Sequence, residues 1–283
     1  MNTSSSFEAR CLRAKEQPFL DLQPMIGNPQ CAWKNFCTPR LRQFDPQAKI
    51  VWKEQLGFGV DGIVWKADSN GRTYAVKVFW DNTHPEGNRY WAIQRECHNA
   101  ALLQMLQASI DSADTPIYLN PKPTTQKHAL INLQAFSNEG RSRAKLKQLP
   151  NAVSCTSMPP MRECFGWTKV SGQELWSLRI GNIPPRAAPL KGIRRDIQPF
   201  EEYYAIVYDF VAESQCPLDN SVVQSQLDFY YLAGFCLTVT MRKDNWKGRG
   251  ILIDMADLIC PWHMGWYQPL FYRRLADEFL AEA

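Results

Sequence analysis

The sequence predicts an α+β fold in which an antiparallel β lobe is followed by a reduced, mainly helical lobe. Three short runs rich in β-branched and aromatic residues begin at Lys49, and Asn70-Gly71 separates the last two. Asn-Gly between alternating runs is a strong hairpin signal, because both central residues of the tight turn need a positive φ. Apolar residues then recur at helical spacing over 87–107. Residues 222–237 are apolar nearly all round, which predicts a helix inside the core.

Shorter patterns predict the remaining elements. The runs 163–170 and 203–211 have the composition of strands, and 126–137 that of a short helix. The apolar run 250–254 predicts a final strand, and 270–281 predicts a terminal helix. The sequence between these elements is rich in proline, which favours surface loops.

Proline content and periodicity divide the chain of 283 residues into three parts. The expected division is an N-terminal extension at 1–48, a small lobe at 49–215 with insertions at about 109–160 and 177–200, and a reduced large lobe at 216–283. Only 68 residues (283 − 215) remain for the large lobe. This shortage leaves little room for a second platform that could hold a macromolecular substrate.

Composition predicts an intracellular protein of the nucleus or cytoplasm. The chain has 32 Lys and Arg against 28 Asp and Glu, a balance that gives no support to nucleic-acid contact. Its nine cysteines include no C-x-x-C pair, which is typical of reduced thiols that pack in the core. No apolar run approaches the ~20 residues that a membrane helix needs, and the N-terminus lacks an apolar signal region. We therefore expect protein partners and no membrane contact.

A glycine-rich segment at 57–62, here called the flap, is the first candidate for chemistry. Gly57, Gly59, Gly62 and Val64 form the pattern G-x-G-x-x-G-x-V. A dinucleotide-binding loop of this spelling must lead into a helix, whose N-terminus meets the pyrophosphate. A hairpin follows here instead, so the pattern argues against NAD and favours a strand–turn–strand flap over a nucleotide.

A lysine and a glutamate follow the flap at the expected places. Ala75 and Lys77 share one face of the next strand, because side chains alternate along a strand. There, the small residue would lie over an adenine and the ammonium would meet phosphates. Glu96 follows 19 residues later (96 − 77) on the predicted helix, where its carboxylate would hold Lys77 extended.

The last third contains candidates for metal ligands but no catalytic base. Asp254 ends an apolar strand, as a metal-binding carboxylate would, and Asn245 is the best candidate for a second ligand. The base should precede that Asn by five residues, which is Thr240, and a threonine hydroxyl cannot take a proton at neutral pH. Asp244 is the one nearby carboxylate, out of register. The four histidines lie far apart, and we expect neither zinc nor haem.

Together these features resemble the protein-kinase-like superfamily over residues 49 to about 212. The resemblance implies a kinase-like fold and an ATP site formed by the flap, Val64, Ala75 and Lys77, with Tyr208 in the strand that leads to the hinge. It also implies Mg²⁺ held by Asn245 and Asp254. The chain departs from the kinase pattern where His-Arg-Asp and Ala-Pro-Glu would stand.

A closer resemblance covers nearly the whole chain from about residue 50. It is carried by several stretches: 119–141, 163–167, 203–211, 224–236 and 245–262. These are similar to uncharacterised kinase-like proteins of filamentous fungi, some of which are labelled as the second Fta subunit of the kinetochore Sim complex. This resemblance implies a fungal kinetochore or nuclear assembly and protein partners.

Two functional hypotheses follow from the sequence. In the first, the chain is a pseudokinase that binds ATP and acts through protein contacts, because the base and the substrate platform are both missing. In the second, it is an active, atypical ATP-dependent phosphotransferase with an unrecognised base. Fold class does not separate the two.

Overall fold

The structure is a computed structural model that describes residues 12, 14–87, 89–141, 146–178 and 195–280. Most of the predicted insertion at 177–200 and the start of the predicted extension at 1–48 lie outside the described residues.

The described chain forms thirteen strands and seven α-helices. The strands are β1 Leu20–Pro24, β2 Leu41–Gln43, β3 Val51–Phe58, β4 Gly62–Ser69, β5 Arg72–Phe79, β6 Ile117–Leu119, β7 Val153–Cys155, β8 Cys164–Ser171, β9 Glu202–Asp209, β10 Cys236–Leu237, β11 Trp246–Lys247, β12 Ile251–Leu252 and β13 Leu258–Ile259. The helices are α1 Trp33–Cys37, α2 Ala92–Asp111, α3 Gln126–Ala135, α4 Asn138–Arg141, α5 Gly172–Ser177, α6 Asn220–Leu232 and α7 Asp277–Leu280.

One seven-stranded sheet, in the order β1-β2-β8-β9-β5-β4-β3, organises the first two thirds of the chain. The predicted meander is confirmed, because β3, β4 and β5 pair antiparallel in succession. Asn70 and Gly71 adopt φ angles of 49° and 77° in the hairpin turn, as the Asn-Gly signal requires. The strands predicted at 163–170 and 203–211 are β8 and β9, and β9 pairs antiparallel with β5.

The N-terminal segment is part of this sheet. Strand β1 pairs parallel with β2, and β2 pairs parallel with β8. The sheet is therefore mixed: the pairs from β8 to β3 are antiparallel, and the two pairs at the β1 edge are parallel. Gly166 makes the junction possible: its φ is 114°, and a Cβ there would lie 2.6 Å from the Arg42 carbonyl oxygen. A side chain at this position would push β2 away from β8.

Helix α2 is almost completely buried along its length. It begins at Ala92, later than the predicted 87, because the backbone of Trp91 is extended, with φ −93° and ψ 113°. Hydrophobic positions such as Ile93 and Leu102 face the core at 0% exposure. The helix also buries polar side chains, which the functional site uses.

The last third is not mainly helical, contrary to the prediction. Its one long helix, α6, ends at Leu232, short of the predicted 237, because Gly234 has a φ of 95° close to the Ala129 backbone. Beyond it the chain forms the two-stranded ladders β10–β13 and β11–β12, joined by 3₁₀ turns. Gly248 and Gly250 have φ angles of 61° and 123°, and such turns break helical continuity. Among the described helices, none has the length and apolar character needed to cross a bilayer.

A buried asparagine joins α2 to the last third of the chain. Asn99 is 0% exposed, and its Nδ2 donates to the carbonyl oxygens of Met255 and Leu258, each at 2.8 Å. Buried backbone carbonyls need such partners, because an unpaired one keeps its desolvation cost. Asn99 therefore fixes the 3₁₀ turn Met255–Asp257 against the helix.

We expect Asn99→Ala to lower the free energy of unfolding by about 2–3 kcal/mol, because it leaves two buried carbonyls without a donor. Gln107→Ala is the matched control on the same helix, since Gln107 is exposed and bonds only to Asp111. Urea denaturation followed by circular dichroism gives both values. Equal losses in the two variants would contradict this role.

Candidate functional site

Lys77, Glu96 and Asp254 meet in one cluster, here called the ammonium cluster. The Lys77 Nζ donates to a Glu96 carboxylate oxygen and, at 3.0 Å, to Asp254 Oδ1. Glu96 is 0% exposed and Lys77 is 7% exposed. The Asp254 side chain remains 38% exposed, so the cluster opens to solvent on the Asp254 side.

Three separate elements bring these side chains together. Lys77 lies in the middle of β5, where its Cα partners are Val64 on β4 and Ile206 on β9. Glu96 lies in the second turn of α2, and Asp254 lies two residues after the end of β12. The cluster therefore ties the sheet, the long helix and the last third of the chain to one another.

Burial and mutual charge shift the pKa values of all three groups. Burial raises the pKa of Glu96 more than the Lys77 ammonium lowers it. Burial acts to lower the pKa of Lys77, but the Asp254 and Glu96 carboxylates together hold it above its ordinary value. Burial acts to raise the pKa of Asp254, but the Lys77 ammonium outweighs burial and holds this pKa below its ordinary value. Lys77 is thus a permanent cation at physiological pH.

Tyr208 lies behind the cluster. Its hydroxyl donates to Glu96 Oε2 at 2.9 Å, and the Arg162 guanidinium lies 4.5 Å from the centre of its ring. Arg162 also donates to the Asp209 and Ile253 carbonyl oxygens at 3.1 and 2.7 Å. Tyr208 was expected to line a cofactor site, and here its side chain positions Glu96.

The expected adenine-side residues lie on the two strands beside the cluster. Val64 is half-buried, and Ala75 is 1% exposed with Tyr208 as its Cα partner on β9. These positions agree with the strand alternation used in the sequence analysis. No contact in the structure identifies a ligand for them.

The three glycines of the flap differ in what the fold requires of them. A Cβ at Gly62 would lie 2.2 Å from the Val78 carbonyl oxygen, so this glycine lets the flap pack directly on β5. Gly57 and Gly59 have no atom within 4 Å of an added Cβ. Packing accounts for Gly62 alone, and the other two border open space.

An aspartate within the flap is directed inward. The Tyr90 hydroxyl donates to both carboxylate oxygens of Asp61, at 2.9 and 3.0 Å. Burial raises the pKa of Asp61, and the Lys77 ammonium partly opposes that shift. Sequence reasoning missed this residue, although a carboxylate inside a phosphate-type loop is itself an unusual signal.

A second carboxylate, Asp257, organises the loop where a base and a metal ligand were expected. It accepts hydrogen bonds from the Thr238 hydroxyl, from Thr240 Oγ1 at 3.3 Å and from Asn245 Nδ2. The Asn245 Oδ1 accepts from the Arg242 backbone N–H at 3.3 Å. These contacts join Asn245 to Asp257.

Asp244, the weak candidate for a base, lies exposed in the 3₁₀ turn Lys243–Asn245. Sequence reasoning missed Asp257, whose only signal is that it is the second carboxylate after the apolar run 250–254. Across the described ranges, no group of three or more His, Cys, Asp or Glu side chains could hold a metal ion. The ligand pair Asn245 and Asp254 stays a prediction.

A cavity of about 550 Å³ borders the ammonium cluster. Its wall includes Tyr208, whose hydroxyl donates to Glu96. Ala100 and Leu103 also line it, and helical spacing places them on the same face of α2 as Glu96.

We expect Lys77→Met to lower the free energy of unfolding by about 3–5 kcal/mol, because it leaves Glu96 buried without its cation. The double variant Lys77→Met/Glu96→Leu should recover part of that loss, since it removes both charges. Lys66→Met is the control on β4, where the pair with Glu54 is partly exposed and should be worth less than about 1 kcal/mol. Chemical denaturation measures all three, and a Lys77→Met cost no larger than that of Lys66→Met would contradict the buried pair.

Asp257 should make stability depend on pH. Burial and the Asp254 carboxylate raise its pKa from 3.8 to about 6, so the folded protein binds this proton more tightly than the unfolded chain does. The stability that protonated Asp257 contributes to the fold is therefore fully present below pH 3.8 and is lost as the pH rises through about 6. Relative to Asp257→Asn, the unchanged chain should lose about 2 kcal/mol between these limits. Chemical denaturation at pH 4 and pH 7 gives the free energy of unfolding of both proteins. The same difference between the two proteins at both pH values would contradict the shift.

Comparison with known protein families identifies a match over most of the chain. A family model described as kinetochore Sim4 complex subunit FTA2 matches residues 25–228. That span contains the flap, Lys77, Glu96 and Tyr208, whereas Asp254 and Asp257 follow it. No curated protein and no solved structure matches the chain. Since the matched residues make up well over half of the sequence, the chain belongs to the kinetochore Sim4 complex subunit FTA2 family.

Proposed function

We propose that the chain is a structural subunit of a kinetochore assembly, built on a kinase-like module that acts through protein contacts and does not transfer phosphate. The family match supports the kinetochore assignment. Kinetochore subunits work in the nucleus by binding other proteins, so this role needs neither a catalytic base nor a substrate platform.

The observation that carries the kinase-like part is the ammonium cluster. The sequence analysis expected a helix glutamate to hold a strand lysine, and it placed an aspartate after an apolar strand as a ligand in the same site. Lys77 contacts both Glu96 and Asp254 in the structure. The strand order around Lys77, with a flap on one side and β9 on the other, supports the same reading.

Asp257 supports a role without catalysis. The two side chains at the expected base and metal positions, Thr240 and Asn245, are both bonded to this one carboxylate. Asp257 is 6% exposed, so its oxygens are not presented to a substrate. A general base must reach the proton that it removes. In this arrangement the loop stabilises itself and offers no base to the cleft.

In the proposed kinase-like cleft, ATP with Mg²⁺ would be a bound ligand and not a phosphate donor, and its affinity would be low because Lys77 already pairs with two carboxylates. Val64 and Ala75 would face the base, and Lys77 the phosphates. Nucleotide binding of this kind would stabilise the module in proportion to ligand concentration.

We expect a tagged copy of the chain to form nuclear foci that coincide with a centromeric chromatin marker, measured by fluorescence microscopy in the source organism. The Lys77→Met/Glu96→Leu variant should form the same foci if it stays folded, because protein contacts and not the ammonium carry the role. A diffuse signal for the unchanged chain would contradict the kinetochore assignment.

A phosphate-transfer assay on the purified chain complements the imaging. The unchanged protein should transfer no phosphate from ATP to a generic protein acceptor above the level of a Lys77→Met control. Transfer that depends on Lys77 would overturn the non-catalytic proposal and favour an atypical phosphotransferase.

A further inference from the structure

The flap is fastened to the sheet at both ends of its turn. The indole Nε1 of Trp80 donates to the Gly59 carbonyl oxygen at 3.0 Å, and the Trp80 backbone N–H donates to the Asp61 carbonyl oxygen at 3.1 Å. Within the turn, the Gly59 N–H donates to the Gly62 carbonyl oxygen at 2.8 Å. These bonds close the flap over the end of β5.

The Asp61 side chain extends this closure to α2. Tyr90 binds both of its oxygens, and the Arg95 guanidinium lies 3.6 Å from the centre of the Tyr90 ring. Arg95 in turn donates to the Ala256 carbonyl oxygen at 3.2 Å, and the Ala256 N–H donates to Asp254 Oδ1 at 3.1 Å. A continuous series of contacts thus links the flap carboxylate to the ammonium cluster.

The position of Asp61 along the sheet places it at the Lys77 end of the cleft. Gly62, the next residue, is the Cα partner of Phe79, and the Lys77 ammonium lies 5.5 Å from the centre of the Phe79 ring. Lys77 already pairs with Glu96 and Asp254. The Asp61 carboxylate and the Lys77 ammonium also shift each other's pKa, so Asp61 is a third carboxylate that acts on this lysine, although its hydrogen bonds go to Tyr90.

We propose that Asp61 is the specificity-determining residue of this cleft, because it takes the anionic position that nucleotide phosphates would need beside Lys77. The proposal rests on the kinase-like cleft described above and deepens it. In this closed arrangement the cleft disfavours polyphosphates, since like charges placed close together in a partly buried site repel strongly. Adenosine, which carries no phosphate, is not subject to this repulsion.

The test compares ligand affinity between the unchanged full-length chain and Asp61→Asn, which keeps the size and the Tyr90 contact but removes the charge. Calorimetry is performed with ATP, with inorganic triphosphate and with adenosine, each with and without Mg²⁺. We expect Asp61→Asn to bind ATP and triphosphate at least about 10-fold more tightly than the unchanged chain. Adenosine affinity should change by less than about twofold.

Two further variants separate charge from general loosening of the fold. Asp68→Asn is the matched control, because Asp68 lies on the same sheet and pairs with Lys53 at the surface; it should leave all affinities unchanged. Tyr90→Phe releases the Asp61 carboxylate without changing charge, so it should raise triphosphate affinity less than Asp61→Asn does. Thermal unfolding without ligand verifies that each variant is folded.

Two results would overturn the proposal. The first is that Asp61→Asn does not strengthen the binding of triphosphate, which includes the case in which neither protein binds it. The second is that Asp61→Asn raises the affinities for adenosine and ATP equally. Neither depends on centromeric foci, so the kinetochore role and the role of Asp61 stand or fall separately.

Discussion

The buried pair between Lys77 and Glu96 is the interaction on which the rest of this structure depends. A lysine at 7% exposure and a glutamate at 0% are costly to remove from water, and that cost is offset by their contact, by the Asp254 oxygen on Lys77 and by the Tyr208 hydroxyl on Glu96. The pair therefore constrains the distance between β5 and α2, and Asp254 constrains where the last third of the chain lies.

Other buried polar contacts reinforce the same arrangement. Asn99 lies three residues after Glu96 on α2 and holds the 3₁₀ turn that follows Asp254. Tyr208 supports Glu96 from the side of β9. Buried polar contacts hold packed elements in a defined arrangement, because losing a partner in a site of low dielectric is costly. Here they join three elements in one defined geometry, which suits a subunit that presents a fixed surface to partners.

The cleft keeps the framework of a ligand site while its charges are satisfied internally. The two carboxylates concerned are Asp61 in the flap and Asp257 in the 3₁₀ turn directly before β13. Both side chains are bonded to neighbours on the chain itself. This internal pairing is the physical link between the non-catalytic role and the weakened polyphosphate binding, both of which we propose.

Some contacts of the candidate site could be predicted from the sequence, and others could not. The Asn70-Gly71 turn and the pairing of Lys77 with Glu96 were predictable, because turn chemistry is local and a buried lysine needs a carboxylate at a limited set of places. The partner of Asn245 was not predictable, since Asp254 and Asp257 lie three residues apart and only the 3₁₀ turn decides which of them meets it.

By itself, the sequence determined the strands and helices whose periodicity is local and the residue types that could form a charged cluster. Tertiary structure decided the rest. It showed that the N-terminal segment adds two strands to the sheet, because Gly166 allows a close backbone approach that no pattern announces. It showed that glycines with positive φ break the last third into short ladders and turns. It also directed Asp61 inward, since the side on which a flap residue lies depends on Tyr90 and Trp80, which are distant in the sequence.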